Sequence, residues 1–222
     1  MTLIDAIQEE EKLVNLSATE SEKFKRYDEL IDKVRQLIDS GADVNEKDEE
    51  GRSVLMRTSL ISVARMLIEA GADVNAVDQD GKTALMWACD MRDIDKVELL
   101  LDAGAYVNAK EEFFGESALM LANSAKIVRM LIEAGADINA RDHCGGTPLM
   151  KASLIQNLEK VKLLVDSGAD VTAKDHFGDD AISLALIGQK SAHVKFGIIK
   201  PETCAEIIHL LKNAAKNVGE KE

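Results

Sequence analysis

The stretch RMLIEAGADVNAVDQDGKTALM, residues 65–86, carries the local signals that decide the fold. Apolar residues stand seven, four and three places before Gly71, and this spacing gives one buried face of a helix. Gly71 can adopt a positive φ without steric cost and so end that helix. An Asp-to-Gly β-turn follows at 78–81, and Thr83 is a favourable N-cap for another helix. The stretch therefore predicts a helix, a glycine cap, a hairpin and a helix.

The string GADVN, or a close variant of it, occurs five times in the chain. The copies begin at Gly41, Gly71, Gly104, Gly135 and Gly168. Their spacing of 30 to 33 residues indicates an array of small stacked units rather than one globule. The segment RMLIEAGADVNA at 65–76 also recurs, with one change, as RMLIEAGADINA at 129–140, which is 64 positions later. A duplicated pair of repeats explains this identity.

Each copy carries the same helix signals. The apolar triplets that precede the five glycines are Val34, Leu37 and Ile38; Ala64, Leu67 and Ile68; Val97, Leu100 and Leu101; Val128, Leu131 and Ile132; Val161, Leu164 and Val165. The N-cap residues that follow the turns are Ser53, Thr83, Ser117, Thr147 and Asp180. Each unit is therefore predicted to contain a hairpin turn, a first helix, and a second helix that ends at glycine.

These residues resemble the ankyrin repeat, whose motif reads D-x-x-G-x-T-P-L-H-x-A and closes with G-A-D-V-N. The resemblance covers about residues 28–190 and implies an all-α repeat solenoid of helix-turn-helix units with β-hairpin or turn tips. About six helix pairs are expected, including caps, in a single domain spanning residues 1–222. Its expected segments are an N-terminal cap at 1–47 with an insert at about 15–25, central repeats at 48–77, 78–110, 111–141 and 142–174, and a C-terminal cap at 175–222 with an insert at about 188–200.

Three departures from the family motif lead to structural expectations. Methionine replaces the motif's histidine at positions 56, 86, 120 and 150, where an apolar filler is expected instead of a polar contact. The repeats at 48–77 and 111–141 lack about three residues between their helices, which predicts a tighter turn or a shorter helix. The third hairpin, at 110–115, has lost its Asp and gained a residue, so it should project differently from its neighbours.

The composition limits the classes of function. The chain has 222 residues, 46% of them apolar, and a formal net charge of −13. Such a surface repels phosphate, so neither a nucleic acid nor an anionic membrane is expected as a partner. It favours a basic or polar protein partner, with solubility alone as the alternative explanation. The chain has three widely spaced cysteines, and no stretch of its sequence looks like a leader or a membrane span. Both observations predict a soluble, cytoplasmic protein, and secretion by a route without a cleavable signal is the alternative.

The sequence shows no pattern typical of a catalytic, cofactor or metal site. Nucleotide-binding and hydrolase motifs are absent, and the many acidic pairs indicate a solvated surface. His143 and His176 occupy equivalent turn positions, with Cys144 between them in sequence. Neighbouring repeats stack at about 10 Å, which is an awkward separation for two imidazoles that share a zinc ion. We therefore expect no enzyme activity, no cofactor and no metal.

The resemblance implies a protein–protein interaction module, such as an adaptor, scaffold or inhibitor, that binds through hairpin tips and the concave face of the first helices. The candidate partner-binding residues are Arg57, Trp87, Asp90, Met91, Phe113, Phe114, Leu121, Lys151, His143, His176 and Phe177. Aromatic side chains are frequent binding anchors, so Trp87 and the phenylalanines rank first. The alternative is that Trp87 fills a gap between first helices and the phenylalanines pack down over the repeats.

A structural module that self-associates through its aromatic tips or its irregular ends is the alternative function. A monomer is expected for an interaction module, and a homo-oligomer for the self-associating one. The asparagines of the closing motif are expected to be structural, because asparagine side chains bond to nearby backbone in turns. They are Asn45, Asn75, Asn108 and Asn139.

Overall fold

The computed structural model describes residues 2–14, 19–190 and 201–219. Twelve α-helices lie within them and follow one another along the chain as six pairs. They are α1 (Leu3–Val14), α2 (Glu20–Asp39), α3 (Val54–Arg57), α4 (Ile61–Glu69), α5 (Ala84–Asp90), α6 (Ile94–Asp102), α7 (Ala118–Leu121), α8 (Ala125–Glu133), α9 (Pro148–Leu154), α10 (Leu158–Asp166), α11 (Ala181–Gln189) and α12 (Pro201–Gly219). In these residues β-structure is confined to isolated bridges, such as Val77 with Thr83. The predicted all-α repeat fold is confirmed.

The helices are divided between two compact units. The first unit contains Met1–Ala88 and Asp95–Tyr106, and the second contains Cys89–Ile94 and Val107–Glu222. Both units bury the leucine at the centre of each second helix. These leucines are Leu67 and Leu100 in the first unit, and Leu131 and Leu164 in the second, all 0% exposed. Because one repeat cannot bury its own apolar face, packing between neighbouring repeats stabilises each unit.

The predicted helix signals act as expected. Helices begin directly after all five predicted N-cap residues, and Gly71, which follows α4, has a φ of 91°. The methionine that replaces the family's histidine has a role in the cap as well as in the core. Ser53 Oγ accepts the Met56 N–H at 3.3 Å, and the Ser53 N–H donates to the Met56 sulfur at 3.4 Å. The expectation of a purely apolar filler was therefore incomplete, since the thioether is also a weak acceptor.

The first helices alternate in length, which confirms the shorter helix expected for two of the repeats. Helices α3 and α7 have four residues, whereas α9 has seven. The long helix α9 is followed by Gln156 in the left-handed region, with a φ of 59°. The short helices end instead at an extended residue, Thr58 or Ala122. The last carbonyl groups of a helix have no partner within it, so the short helices need donors from elsewhere.

Two buried lysines supply those donors. Lys96 of α6 donates to the carbonyl oxygens of Met56 and Thr58, at 3.2 and 2.6 Å, at the end of α3. Lys160 of α10 stands 64 positions later and makes the equivalent bonds at the end of α7. Its Nζ lies 2.9 Å from the oxygen of Met120 and 2.7 Å from that of Ala122. Their residue exposures are 5% for Lys96 and 0% for Lys160. We call a repeat short when its first helix has four residues and long when it has seven. The helix end of each short repeat is thus capped by the lysine of the long repeat that follows it.

The closing-motif asparagines are structural, as predicted, but they act between repeats. The Asn75 Oδ1 atom accepts the backbone N–H of Tyr106 at 2.7 Å. Asn108 uses both ends of its amide, accepting from the Asp137 N–H at 2.7 Å and donating to the Gly135 oxygen at 3.0 Å. Asn45 and Asn139 accept from Asp73 and Asp170 in the same way. These amides hold each hairpin in register with the next one in its unit.

The chain ends differ in part from the expected inserts. Helix α2 begins at Glu20 with a capping box between Thr19 and Glu22, so the irregular insert expected at about 15–25 is wrong for 20–25. Residues 15–18 and 191–200 lie outside the described residues. The expected C-terminal cap contains a last helix, which begins at Pro201. Among the helices that the structure describes, none combines the length and apolar character needed to cross a bilayer.

Candidate protein-binding surface

The carboxylate that opens each regular hairpin turn fixes the backbone of the tip. Asp78 Oδ1 accepts the backbone N–H groups of Asp80 at 3.0 Å and Lys82 at 2.9 Å. Equivalent pairs of bonds are made by Asp48, Asp142 and Asp175. The tips are therefore held in one backbone conformation, and a fixed backbone lowers the entropic cost of any contact made there.

The second oxygen of the same carboxylate contacts the first helix, an arrangement that the sequence reasoning missed. The contacts to Oδ2 are Arg57 Nη1 with Asp48 at 2.8 Å, Trp87 Nε1 with Asp78 at 2.8 Å, and Lys151 Nζ with Asp142 at 3.6 Å. At Asp48, burial alone would raise the pKa, but hydrogen bonds from Arg57 and Arg52 outweigh it and lower the pKa. Three candidate partner-binding side chains thus have intramolecular contacts that hold them beside a hairpin.

Trp87 is half-buried and already makes two contacts within the protein. Its N–H is used by Asp78, and Lys82 Nζ lies 5.0 Å from the ring centroid, in a cation–π position. Both contacts are with residues of its own hairpin, so the alternative in which Trp87 fills a gap between first helices stays a prediction. Leu121, at the equivalent position of α7, is half-buried as well. A role for either side chain in partner binding stays a prediction.

The third hairpin uses a different carboxylate to hold two exposed aromatic rings. Glu111, only 3% exposed, accepts the N–H groups of Phe113 and Phe114 at 2.7 Å each and of Glu116 at 2.9 Å. Burial alone would raise the Glu111 pKa, but the hydrogen bonds from these backbone groups lower it. The rings of Phe113 and Phe114 are 73% and 57% exposed and meet edge to face at 4.6 Å. They do not pack down over the repeats.

The two histidines connect successive tips of the second unit. The backbone N–H of His143 donates to the Phe114 oxygen at 2.8 Å, and that of His176 donates to the Cys144 oxygen at 2.9 Å. Each ring lies against the turn glycine of the preceding hairpin, so a Cβ atom at Gly115 would come within 2.5 Å of the His143 ring. In the described part of the chain, no three His, Cys, Asp or Glu side chains form a group able to hold a metal ion.

Phe177 completes the exposed aromatic set of the second unit, with 78% of its surface accessible. Asp90 and Met91, at the end of α5, are also exposed. Sequence reasoning missed Tyr106, which is 70% exposed. A departure from the repeat could have revealed it, because Tyr106 replaces the Asp found in the other four copies of the closing motif.

We name the continuous set on the third, fourth and fifth hairpins the tip row: Phe113, Phe114, His143, His176 and Phe177. The structure brings these five candidates together on three consecutive, mutually bonded hairpins. Arg57, Trp87, Leu121 and Lys151 lie instead on first helices, each at the position after the Leu–Met pair.

Comparison with known families identifies the repeat. The family model for ankyrin repeats (3 copies) matches residues 25–111 and 107–175, which is more than half of the chain. No curated protein matches the sequence significantly. Ankyrin repeats are generally protein–protein interaction modules, and the family is typically non-enzymatic. The matched residues contain the first four hairpins, helices α3 to α10 and the closing asparagines described above, and the chain belongs to the ankyrin-repeat family.

Proposed function

We propose that this chain is an adaptor, scaffold or inhibitor that holds a partner protein on its tip row. The observation that carries the proposal is the third hairpin, where the buried Glu111 carboxylate fixes the backbone of two exposed phenylalanines. Exposed aromatic rings on a fixed backbone bury much apolar area on binding and lose little conformational freedom.

The rest of the tip row supports the same proposal. Phe177 adds a third exposed ring. The backbone hydrogen bonds of His143 and His176 join the third hairpin to the fourth and the fourth to the fifth. We propose that the first-helix candidates extend the contact: Arg57, Trp87, Asp90, Met91, Leu121 and Lys151. The net charge of −13 favours a partner with a basic or polar contact surface.

The test is capture of a partner by the double variant Phe113→Ser/Phe114→Ser. The tagged wild-type chain is incubated with a cell lysate, and bound proteins are identified by mass spectrometry. We expect a specific partner whose binding to the double variant falls at least about tenfold, since aromatic anchors carry much of an interface's energy. The matched control is Phe24→Ser, which removes a ring that is 69% exposed on α2 and lies outside the tip row.

Two outcomes would contradict the proposal. One is a partner that the double variant retains and the Phe24→Ser variant loses. The other is an oligomer of the wild-type chain that survives dilution and is dissolved by the double variant. That second result would assign the aromatic tips to self-association, and light scattering on the purified proteins measures it directly.

A further inference from the structure

A groove runs between the second helices α4 and α6 of the first unit. Its volume is about 620 Å³, and it is partly open to solvent. The apolar side chains of Ile61, Ile68 and Leu99 line it. The hairpin tips and first helices take no part in it, so the proposed function neither uses this groove nor accounts for it.

Four carboxylates and one arginine surround these apolar side chains. They are Glu69, Asp95, Glu98, Asp102 and Arg65. Asp95, Glu98 and Asp102 follow one another at the spacing of a single helix face. Among the described residues, none of the four carboxylates takes part in an ion pair. The groove therefore combines apolar lining side chains with four carboxylates, called the rim here, that outnumber its single arginine.

The duplicated repeats contain an equivalent pair of second helices, α8 and α10, that differs at two of these positions. The residues equivalent to Ile61 and Glu98, 64 positions later, are Ala125 on α8 and Lys162 on α10. Lys162 forms an ion pair with Glu159 at 3.8 Å. The charged positions of the groove between α4 and α6 hold one cation and four carboxylates. The equivalent positions 64 residues later hold two cations and three carboxylates. These two differences make the first groove more apolar and more acidic than its counterpart.

We propose that the groove between α4 and α6 docks a basic amphipathic helix of a partner protein. Apolar side chains of that helix contact Ile61, Ile68 and Leu99, and its Lys or Arg residues meet the carboxylates of the rim. A helix laid in a groove places apolar side chains at intervals of three and four residues, and charge-assisted hydrogen bonds add to this contact. The same carboxylates repel phosphate groups, which argues against a nucleic acid or an anionic lipid surface as the occupant.

The test uses the full chain and a designed peptide probe. The probe is a 14-residue amphipathic helix of leucines and lysines, and its control is the same peptide with glutamates in place of the lysines. Titration of the 15N-labelled chain should shift the backbone amides of α4 and α6, and the control peptide should leave them unchanged. Substitution Glu98→Lys, which installs the residue found in the duplicate, should weaken binding at least tenfold.

Matched variants separate docking in this groove from attraction to any acidic surface. Asp166→Lys makes the same change of charge at an exposed position of the other groove, and it should alter affinity less than twofold. Ala125→Ile/Lys162→Glu rebuilds the second groove and should raise the stoichiometry from one peptide to two. Equal weakening by Glu98→Lys and Asp166→Lys, or shifts spread over the whole acidic surface, would overturn the proposal. Phe113→Ser/Phe114→Ser should leave peptide binding unchanged, so failure here is distinguishable from failure of the tip-row proposal.

Discussion

The two duplicated repeat pairs, 48–110 and 111–174, share the contacts that join their repeats but differ in several other side chains. Lys96 and Lys160 cap the same short helix in each pair, and Asn75 and Asn139 each accept the backbone N–H of a later hairpin. Elsewhere, Trp87 corresponds to Lys151, Asp90 to Leu154, and Glu98 to Lys162. The contacts that join one repeat to the next have been retained after duplication, whereas side chains available to a partner have changed. The differences between the pairs therefore mark the positions at which we expect contacts with a partner.

The largest expected effect comes from removing either capping lysine. Lys96→Met or Lys160→Met keeps most of the side-chain volume but leaves two helix-end carbonyls without a donor. We expect a loss of about 3 kcal/mol in the free energy of unfolding for each variant. Urea denaturation followed by circular dichroism measures it, with the exposed Lys162→Met as control. A large loss for one lysine and none for the other would break the equivalence of the two pairs.

Lys160 also predicts a pH dependence of stability. Burial lowers the pKa of Lys160 to about 7, against the opposing effect of Cys89 and Glu116 and with some help from Lys151. Above pH 7 the unfolded chain holds a proton there that the folded chain has released, so stability rises with pH. The slope is at most about 1.4 kcal/mol per pH unit, the value for one proton.

The pH effect is measured by urea denaturation between pH 6.5 and 8, below the range where free thiols titrate. Lys160→Met should flatten the dependence, and Lys162→Met should leave it intact. Stability that falls with rising pH in the wild-type chain, or a slope that Lys160→Met does not change, would show that this lysine stays protonated in the folded protein.

A smaller effect is expected from the asparagines that join repeats. Asn75→Ala and Asn139→Ala each remove a side-chain acceptor from a backbone N–H of the next repeat, so each should cost about 1 kcal/mol. Thr172→Ala is the control, because Thr172 occupies the same motif position in the last copy but bonds locally to Asp170. If Thr172→Ala costs as much as Asn139→Ala, the contact between repeats is not the source of the effect.

The smallest expected effect lies at the diverged first-helix position. Trp87→Phe and Lys151→Met each remove a donor from the hairpin carboxylate, and each should cost less than about 1 kcal/mol, with Trp87 the larger. Lys151 is the weaker donor to that carboxylate because its contact with Asp142 is 3.6 Å long and its Nζ atom also pairs with Glu116. Hydrogen exchange at the hairpin amides distinguishes the two. Faster exchange in the Lys151 variant than in the Trp87 variant would reverse the ranking.

The repeated signals predicted the fold because each acts locally. Helices begin after the predicted N-cap residues and are followed by the predicted glycines. The first helix is shorter in the repeats that lack three residues. The exposed side chains of Phe113 and Phe114 were likewise anticipated from their place at a turn. The capping role of Lys96 and Lys160 was not, since a lysine on a helix normally indicates a solvated face. Its two acceptors lie 38 and 40 residues away, beyond the reach of a local pattern.

The binding surface was predictable only in part, for the same physical reason. Arg57, Trp87 and Lys151 were identified as candidate binding residues, but their contacts with a hairpin carboxylate depend on how that hairpin folds back over the first helix. The α4–α6 groove requires two helices to lie side by side, and no single helix sequence shows it. What a side chain does beyond its own turn is decided by packing.

The buried lysines also restrict how a chain of this design gains or loses repeats. A long repeat placed after another long one would direct its lysine at a helix end already closed by a left-handed residue such as Gln156. A short repeat that is not followed by a long one would leave two carbonyl groups at the end of its first helix without a hydrogen-bond donor. Recombination that inserts or deletes about 64 residues, a whole short–long cassette, avoids both defects. We therefore expect a chain of this design to gain or lose repeats in pairs rather than singly.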